Sequence, residues 1–129
     1  MPEKIKVDIE KPVQEFEIGG KVYKLLYDDD SLKRYQKEFK EVAERWKEYE
    51  NIDFDKLSEK EAQKYHDEQE QILKDITENL FGEGSFEQIY EACHRSTFNL
   101  LRVVEQVRDW YEDMHLDAKQ RAKKYYTEK

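Results

Sequence analysis

The chain has 129 residues, of which 42% are charged and 37% apolar, and its formal net charge is −8. One domain is the default at this length, and nine Tyr, six Phe and two Trp argue against intrinsic disorder. The acidic balance repels phosphate backbones and anionic lipid, which argues against nucleic acid and membranes as partners.

Charge is distributed unevenly along the chain. The segment 119–129 holds five Lys or Arg residues and one Glu, a local charge of +4 that leaves −12 for the remainder. Such a basic segment is usually solvated or complements the C-terminus of a helix.

The expected compartment is the cytoplasm. Cys93 is the only cysteine, so no intrachain disulfide forms, which fits a reducing environment. Residues 1–6 contain no apolar run typical of a signal peptide. No stretch approaches the roughly 18 apolar residues that a membrane span needs.

The N-terminal region, 1–27, is predicted to contain a β-hairpin. Apolar residues alternate with polar ones on both sides of a Gly-Gly pair, which suits a tight turn with positive φ. In the resulting register Ile18 faces Lys21, and Phe16 faces Tyr23. An isolated hairpin is marginal in water, so this one must pack on helices.

A third short strand is predicted ahead of the hairpin. Ile5, Val7 and Ile9 alternate with polar residues, and Pro12 ends the run because it cannot donate to a ladder.

The first predicted helix follows an acidic cap at Asp30 or Ser31. Its apolar residues recur at steps of three and four and cover an arc of about 100°. They are Leu32, Tyr35, Phe39, Val42, Trp46 and Tyr49. Such a stripe supports either bundle packing or a coiled coil.

The second predicted helix runs from about Glu59 to Leu80. Ser58 and Glu61 form a capping-box pattern at its start, and two glycines stop it at 82 and 84. Its inward residues are Ala62, Tyr65, Ile72, Leu73, Ile76 and Leu80.

The third predicted helix runs from Phe86 to at least His115, after a capping-box pattern at Ser85 and Gln88. Its apolar residues fall on two faces, as in a central helix. The main stripe is Phe86, Tyr90, Cys93, Thr97, Leu100, Val104, Val107, Tyr111 and Met114. The second face consists of His94, Phe98 and Leu101.

The helical pattern fades after Leu116, so 117–129 is expected to be a basic tail that frays. The expected fold is therefore α+β and mostly α. One domain, 1–129, packs a hairpin on a bundle of three helices at 31–116.

Two Glu-x-x-His pairs invite a metal interpretation: Glu91 with His94, and Glu112 with His115. Carboxylate-bridged metal bundles place such pairs on facing helices. Here both pairs lie on one predicted helix, about 31 Å apart, so they cannot share a metal within the chain. A metal held between subunits stays open.

Other candidate chemistry has simpler explanations. His66 and Glu70 are spaced for a metal but suit a solvated helix face. Cys93 lies in the main stripe, where a free thiol behaves as a small hydrophobe. The Gly-Gly-Lys at 19–21 lacks the rest of a phosphate loop. We therefore predict no catalytic, cofactor-binding or metal residues and no enzyme activity.

The layout resembles the small tail assembly chaperones of long-tailed bacteriophages and prophages. The likeness is carried by Phe16-Glu17-Ile18-Gly19-Gly20-Lys21-Val22-Tyr23, by Ser31-Leu32-Lys33-Arg34-Tyr35-Gln36 and by Asn99-Leu100-Leu101-Arg102-Val103-Val104. It is a likeness of arrangement that covers most of the chain from residue 14. The extra strand at 5–9 departs from the usual start.

The resemblance implies a role in the cytoplasm of a bacterial host. Such proteins bind the tape-measure protein and keep it soluble until the tail tube encloses it. They commonly self-associate, and many have a longer form made by translational frameshifting. The second face of the third helix, His94, Phe98 and Leu101, is the predicted partner-binding or self-association surface. The alternative is that the first helix or the hairpin covers it.

Two other functions stay open. One is a different small phage or bacterial adaptor, either head–tail connector-like or antitoxin-like. The other is a small metal-dependent oxidase that uses the Glu-x-x-His pairs.

Overall fold

A computed structural model describes the backbone of residues 3–127 and the side chains of residues 3–124. The fold is α+β and mostly α, as predicted. Two antiparallel strands, β1 (Val13–Ile18) and β2 (Lys21–Leu26), precede four helices. These are α1 (Asp29–Trp46), α2 (Glu59–Phe81), α3 (Ser85–Ala92) and α4 (Thr97–Thr127), with 3₁₀ turns at Lys47–Tyr49 and Phe54–Lys56.

The hairpin register is confirmed. Ile18 pairs with Lys21, and Phe16 pairs with Tyr23. Gly19 and Gly20 have φ of 59° and 81°, the positive values that a type I′ turn requires. Side chains alternate between the two faces of a strand, so apolar residues at alternate positions share the inward face of the hairpin.

Two adjoining groups of buried side chains form the core. Members of both come from β2, α2 and α4, so the hairpin is part of the core. The first cluster is Tyr23, Leu73, Phe86, Ile89, Cys93 and Leu100. The second cluster is Leu25, Tyr35, Ile76, Leu80, Val104 and Val107. Phe81 packs against both.

The predicted strand at 5–9 is absent. Residues 3–11 are all exposed and lie outside the sheet. A strand needs a neighbour to pair its backbone groups, and β1 has only β2 beside it within the described chain. Alternation alone therefore did not make a strand here.

The third predicted helix is two helices. The chain breaks between Ala92 and Thr97, where His94 and Arg95 have φ of 58° and 54°. The Asn99 N–H donates to Ser96 Oγ at 3.2 Å, and this bond caps the start of α4 as a separate helix. The bundle therefore has four helices instead of three.

One predicted cap is confirmed and two are wrong. Ser58 Oγ accepts from the Glu61 N–H at 3.2 Å. The first helix begins at Asp29 with Asp28 as its N-cap, whereas Asp30 or Ser31 was the expected cap. Ser85 lies inside α3 and donates to the Gly82 carbonyl, while the Gln88 side chain accepts from the Tyr23 hydroxyl.

The C-terminal segment continues α4. The backbone stays helical to Thr127, so the fading apolar pattern did not mark the helix end. The last two residues of the predicted basic tail, 128–129, lie outside the described residues, as do residues 1–2.

Gly19 lies close against α3, so a substitution at this residue tests whether the hairpin is docked on that helix. A Cβ at Gly19 would lie 2.5 Å from the Ala92 Cβ, whereas a Cβ at Gly20 would meet nothing within 4 Å. Both residues have positive φ, which costs a non-glycine residue about 1 kcal/mol. Overpacking adds about 1–3 kcal/mol at Gly19 alone.

We predict that Gly19→Ala lowers the free energy of unfolding by about 2–4 kcal/mol, and its matched control Gly20→Ala by about 1 kcal/mol. Urea unfolding followed by circular dichroism measures both. Equal losses would show that the hairpin is not held against Ala92.

Candidate protein-binding surface

An apolar groove opens between α1 and α4. Its volume is about 330 Å³. Buried Leu73 and Val104 form its floor, and half-buried residues of α1 form one wall. The full lining is Phe39, Val42, Ala43, Trp46, Lys47, Glu50, Leu73, Leu101, Val104, Glu105 and Arg108. We call this the α1–α4 groove.

The rim of the α1–α4 groove is charged and mixed in sign. Lys47 and Glu50 lie on the α1 side, and Glu105 and Arg108 on the α4 side. All four are exposed. An apolar floor with a polar rim is the usual anatomy of a protein-binding patch.

Of the three predicted surface residues, Leu101 lines this groove and Phe98 lies three residues before it on α4. Leu101 is half-buried, packs against the first cluster and lines the groove. Phe98 is 66% exposed, with the Arg102 guanidinium 4.7 Å from its ring centroid. Residues three apart on a helix share a face, so Phe98 extends the groove surface by one turn.

The structure thus shows different degrees of exposure for these two residues. The first helix partly covers Leu101 and leaves Phe98 open. An exposed phenyl ring beside an apolar groove is the kind of anchor that interfaces use.

His94, the third predicted residue, lies in the turn between α3 and α4, is exposed, and is not among the groove residues. The Arg95 N–H donates to the Tyr90 carbonyl at 2.9 Å and closes the end of α3. The Arg95 guanidinium lies 4.8 Å from the Tyr90 ring centroid and 2.6 Å from a Glu91 oxygen. The Glu91 hydrogen bond raises the pKa of Arg95.

The Glu-x-x-His pairs have other partners. Glu91 pairs with Arg95, and Glu112 accepts from Arg108 at 3.0 Å. The His115 ring stacks on Tyr111. His66 stacks on Phe54, with ring centroids 5.3 Å apart.

Within the described residues, His, Cys, Asp and Glu form no group of three that would hold a metal ion. Cys93 is buried in the first cluster, and burial raises the pKa of its thiol. A thiol that resists ionisation is a poor nucleophile. These arrangements are those of packing and surface charge.

The α1 side of the groove was missed by sequence reasoning. Phe39, Val42 and Trp46 belong to the stripe predicted for bundle packing or a coiled coil. They pack against the core clusters, but they remain half-buried and also form one wall of the groove. No signal in the spacing distinguishes a covered stripe from an open one, because both have the same period.

Comparison with known proteins finds no matching family model, curated protein or solved structure. Along residues 3–127, no helix combines the length and apolar composition needed to cross a membrane.

The turn before α4 stores strain that a substitution can relieve. His94 has a left-handed φ of 58°, which costs a residue with a Cβ about 1 kcal/mol and costs glycine nothing. We predict that His94→Gly is more stable than the matched control His94→Ala by about 1 kcal/mol, measured by urea unfolding. Equal stabilities would show that the turn is not left-handed in solution.

Proposed function

We propose that the protein is a non-catalytic tail assembly chaperone of a long-tailed phage or prophage. In this role it binds the tape-measure protein in the bacterial cytoplasm and keeps it soluble. The observation that carries the proposal is the α1–α4 groove, with the exposed ring of Phe98 beside it. The layout of hairpin, acidic cap and aromatic helix supports the same class.

The physical argument rests on what such a partner exposes. A long helical protein awaiting enclosure presents an apolar stripe, and an amphipathic helix binds by placing that stripe in a groove. The wall from Phe39 to Trp46 spans about 10 Å, or two helical turns. One copy therefore covers a short stretch, and several copies are needed along a long partner.

In this proposal, the charged rim allows the groove to bind different segments of the tape-measure protein. Lys47 and Arg108 carry positive charge, while Glu50 and Glu105 carry negative charge. Exposed pairs contribute little affinity each, so the rim favours many partner sequences weakly. Masking is stoichiometric and requires no chemical step, in keeping with displacement by the tail tube.

The alternative is another small phage or bacterial adaptor, either connector-like or antitoxin-like. The mode of self-association distinguishes a connector-like adaptor from a chaperone. A connector forms a closed ring of fixed size, whereas chaperone assembly varies with concentration. Sedimentation velocity over a range of concentrations distinguishes the two.

The test of the proposed function is co-expression with a tape-measure protein encoded beside this chain, followed by tagged pull-down. We expect the large partner to become soluble and to co-purify. A partner that stays insoluble and unbound would overturn the chaperone proposal and favour the adaptor.

The surface is tested in the same assay with Phe98→Glu. Its matched control is Leu116→Glu, because Leu116 is 53% exposed on the same helix, about 27 Å further along. We predict that Phe98→Glu lowers tape-measure recovery by about tenfold, from loss of an apolar anchor. The control should leave recovery unchanged.

Both variants should stay folded, because exposed substitutions shift stability by less than about 0.5 kcal/mol. Equal recovery with the two variants would place the binding surface elsewhere on the protein.

A further inference from the structure

The N-terminal arm, residues 3–11, exposes apolar side chains in a strand-like pattern. Ile5, Val7 and Ile9 alternate with polar residues and are 89%, 73% and 89% exposed. Isolated exposed apolar residues are ordinary, but in a strand these three would lie on one side and form a continuous apolar edge. Such a segment is suited to join a sheet.

β1 offers an open edge to receive a strand. The Tyr27 N–H donates to the Pro12 carbonyl at 2.8 Å, so even-numbered residues of this strand bond towards β2. The backbone groups of Glu15 and Glu17 therefore point away from β2. In the two-stranded sheet described, β1 has a neighbour on one side only.

A groove lies beside this edge. Two adjoining cavities of about 280 and 610 Å³ lie between β1 and α4 and share Phe16 and Gln106 in their linings. The larger one is also lined by Asp109, Asp113 and Asp117. Apolar side chains contribute to both linings. They include Cys93, Val103, Val107, Trp110 and Met114. A strand added to β1 would place one face of its side chains against them.

The charges of the arm complement those of β1. Glu15 and Glu17 are exposed on the outer face of the hairpin, opposite the inward ring of Phe16. When the apolar side of the arm faces the groove, Lys4, Lys6, Asp8 and Glu10 lie on that same outer face. In the antiparallel register that pairs Lys4 with Glu17 and Lys6 with Glu15, Asp8 lies opposite the uncharged Val13. Opposite charges across neighbouring strands stabilise their pairing.

The arm has no net charge, whereas the chain as a whole is acidic and two copies of it repel each other. The whole chain carries −8, but within the arm three basic residues balance three acidic ones. They are Lys4, Lys6 and Lys11 against Glu3, Asp8 and Glu10. The arm of one copy therefore approaches another copy without net repulsion.

The arm is poorly placed to pair with its own β1. Only Pro12 separates it from Val13, and the Val13 N–H already donates to the Lys11 carbonyl at 2.8 Å. Proline has no N–H to contribute to a ladder. In the single chain, residues 3–11 remain exposed.

We propose that the arm adds as a strand to the β1 edge of a second copy, so that two copies exchange arms in a two-fold symmetric dimer. The symmetry makes the interface isologous, since each copy gives one arm and receives one. This interface does not depend on the proposed function. It uses the face of α4 that contains Val103 and Val107, roughly opposite the face of Leu101 and Arg108 at the α1–α4 groove.

Charge reversal tests the exchange. One variant carries Lys4→Glu with Lys6→Glu, and the other carries Glu15→Lys with Glu17→Lys. Each alone places like charges between arm and edge, and sedimentation velocity should show dimerisation about tenfold weaker than in the parent chain. All four positions are exposed, so each variant should have the melting temperature of the parent chain.

Mixing the two variants decides between exchange and self-docking. The acidic arm then meets a basic edge and the basic arm meets an acidic edge, so we expect the mixture to dimerise within about threefold of the parent. A monomeric parent chain would overturn the proposal. So would a dimer that is insensitive to these charges, or a mixture that stays as weak as its components.

Discussion

The structure depends on how the hairpin is docked by aromatic contacts. The Phe16 ring meets Trp110 of α4 edge-on at 5.4 Å, and the Tyr23 ring meets Phe81 of α2 at the same distance. Two strands alone are marginal in water, and these contacts provide the apolar burial that holds them. Phe81 packs against both core clusters, so one ring ties the hairpin, the end of α2 and α4 together.

This docking explains why α4 has two different open faces. The hairpin approaches from one side, near Val103 and Val107, and leaves an edge groove there. On the other side, α1 approaches near Val104 and leaves the α1–α4 groove. The Tyr35 hydroxyl donates to the Leu26 carbonyl at 2.7 Å, which fixes α1 relative to the hairpin. The position of the hairpin thus affects both surfaces.

Features set by local rules could be predicted from the sequence. The register of β1 and β2 follows from a Gly-Gly turn between alternating runs. The helix α2 begins directly after its N-cap Ser58, because the Ser58 hydroxyl accepts from the Glu61 N–H. The break before α4 was missed because the apolar spacing continues across it. Its left-handed residues, His94 and Arg95, carry no sequence signature, unlike glycine.

The sequence by itself determined which residues are helical or extended over most of the chain, and which side of each element is apolar. Only the tertiary structure decided what covers each apolar side. Phe39 belongs to the apolar stripe of α1 and Leu101 to the second face of α4, and both line the α1–α4 groove. Ile5 to Ile9 has the period of a strand and remains unpaired in the single chain. The reason is physical: periodicity is local, whereas burial and strand pairing need a neighbour placed by packing of the whole chain.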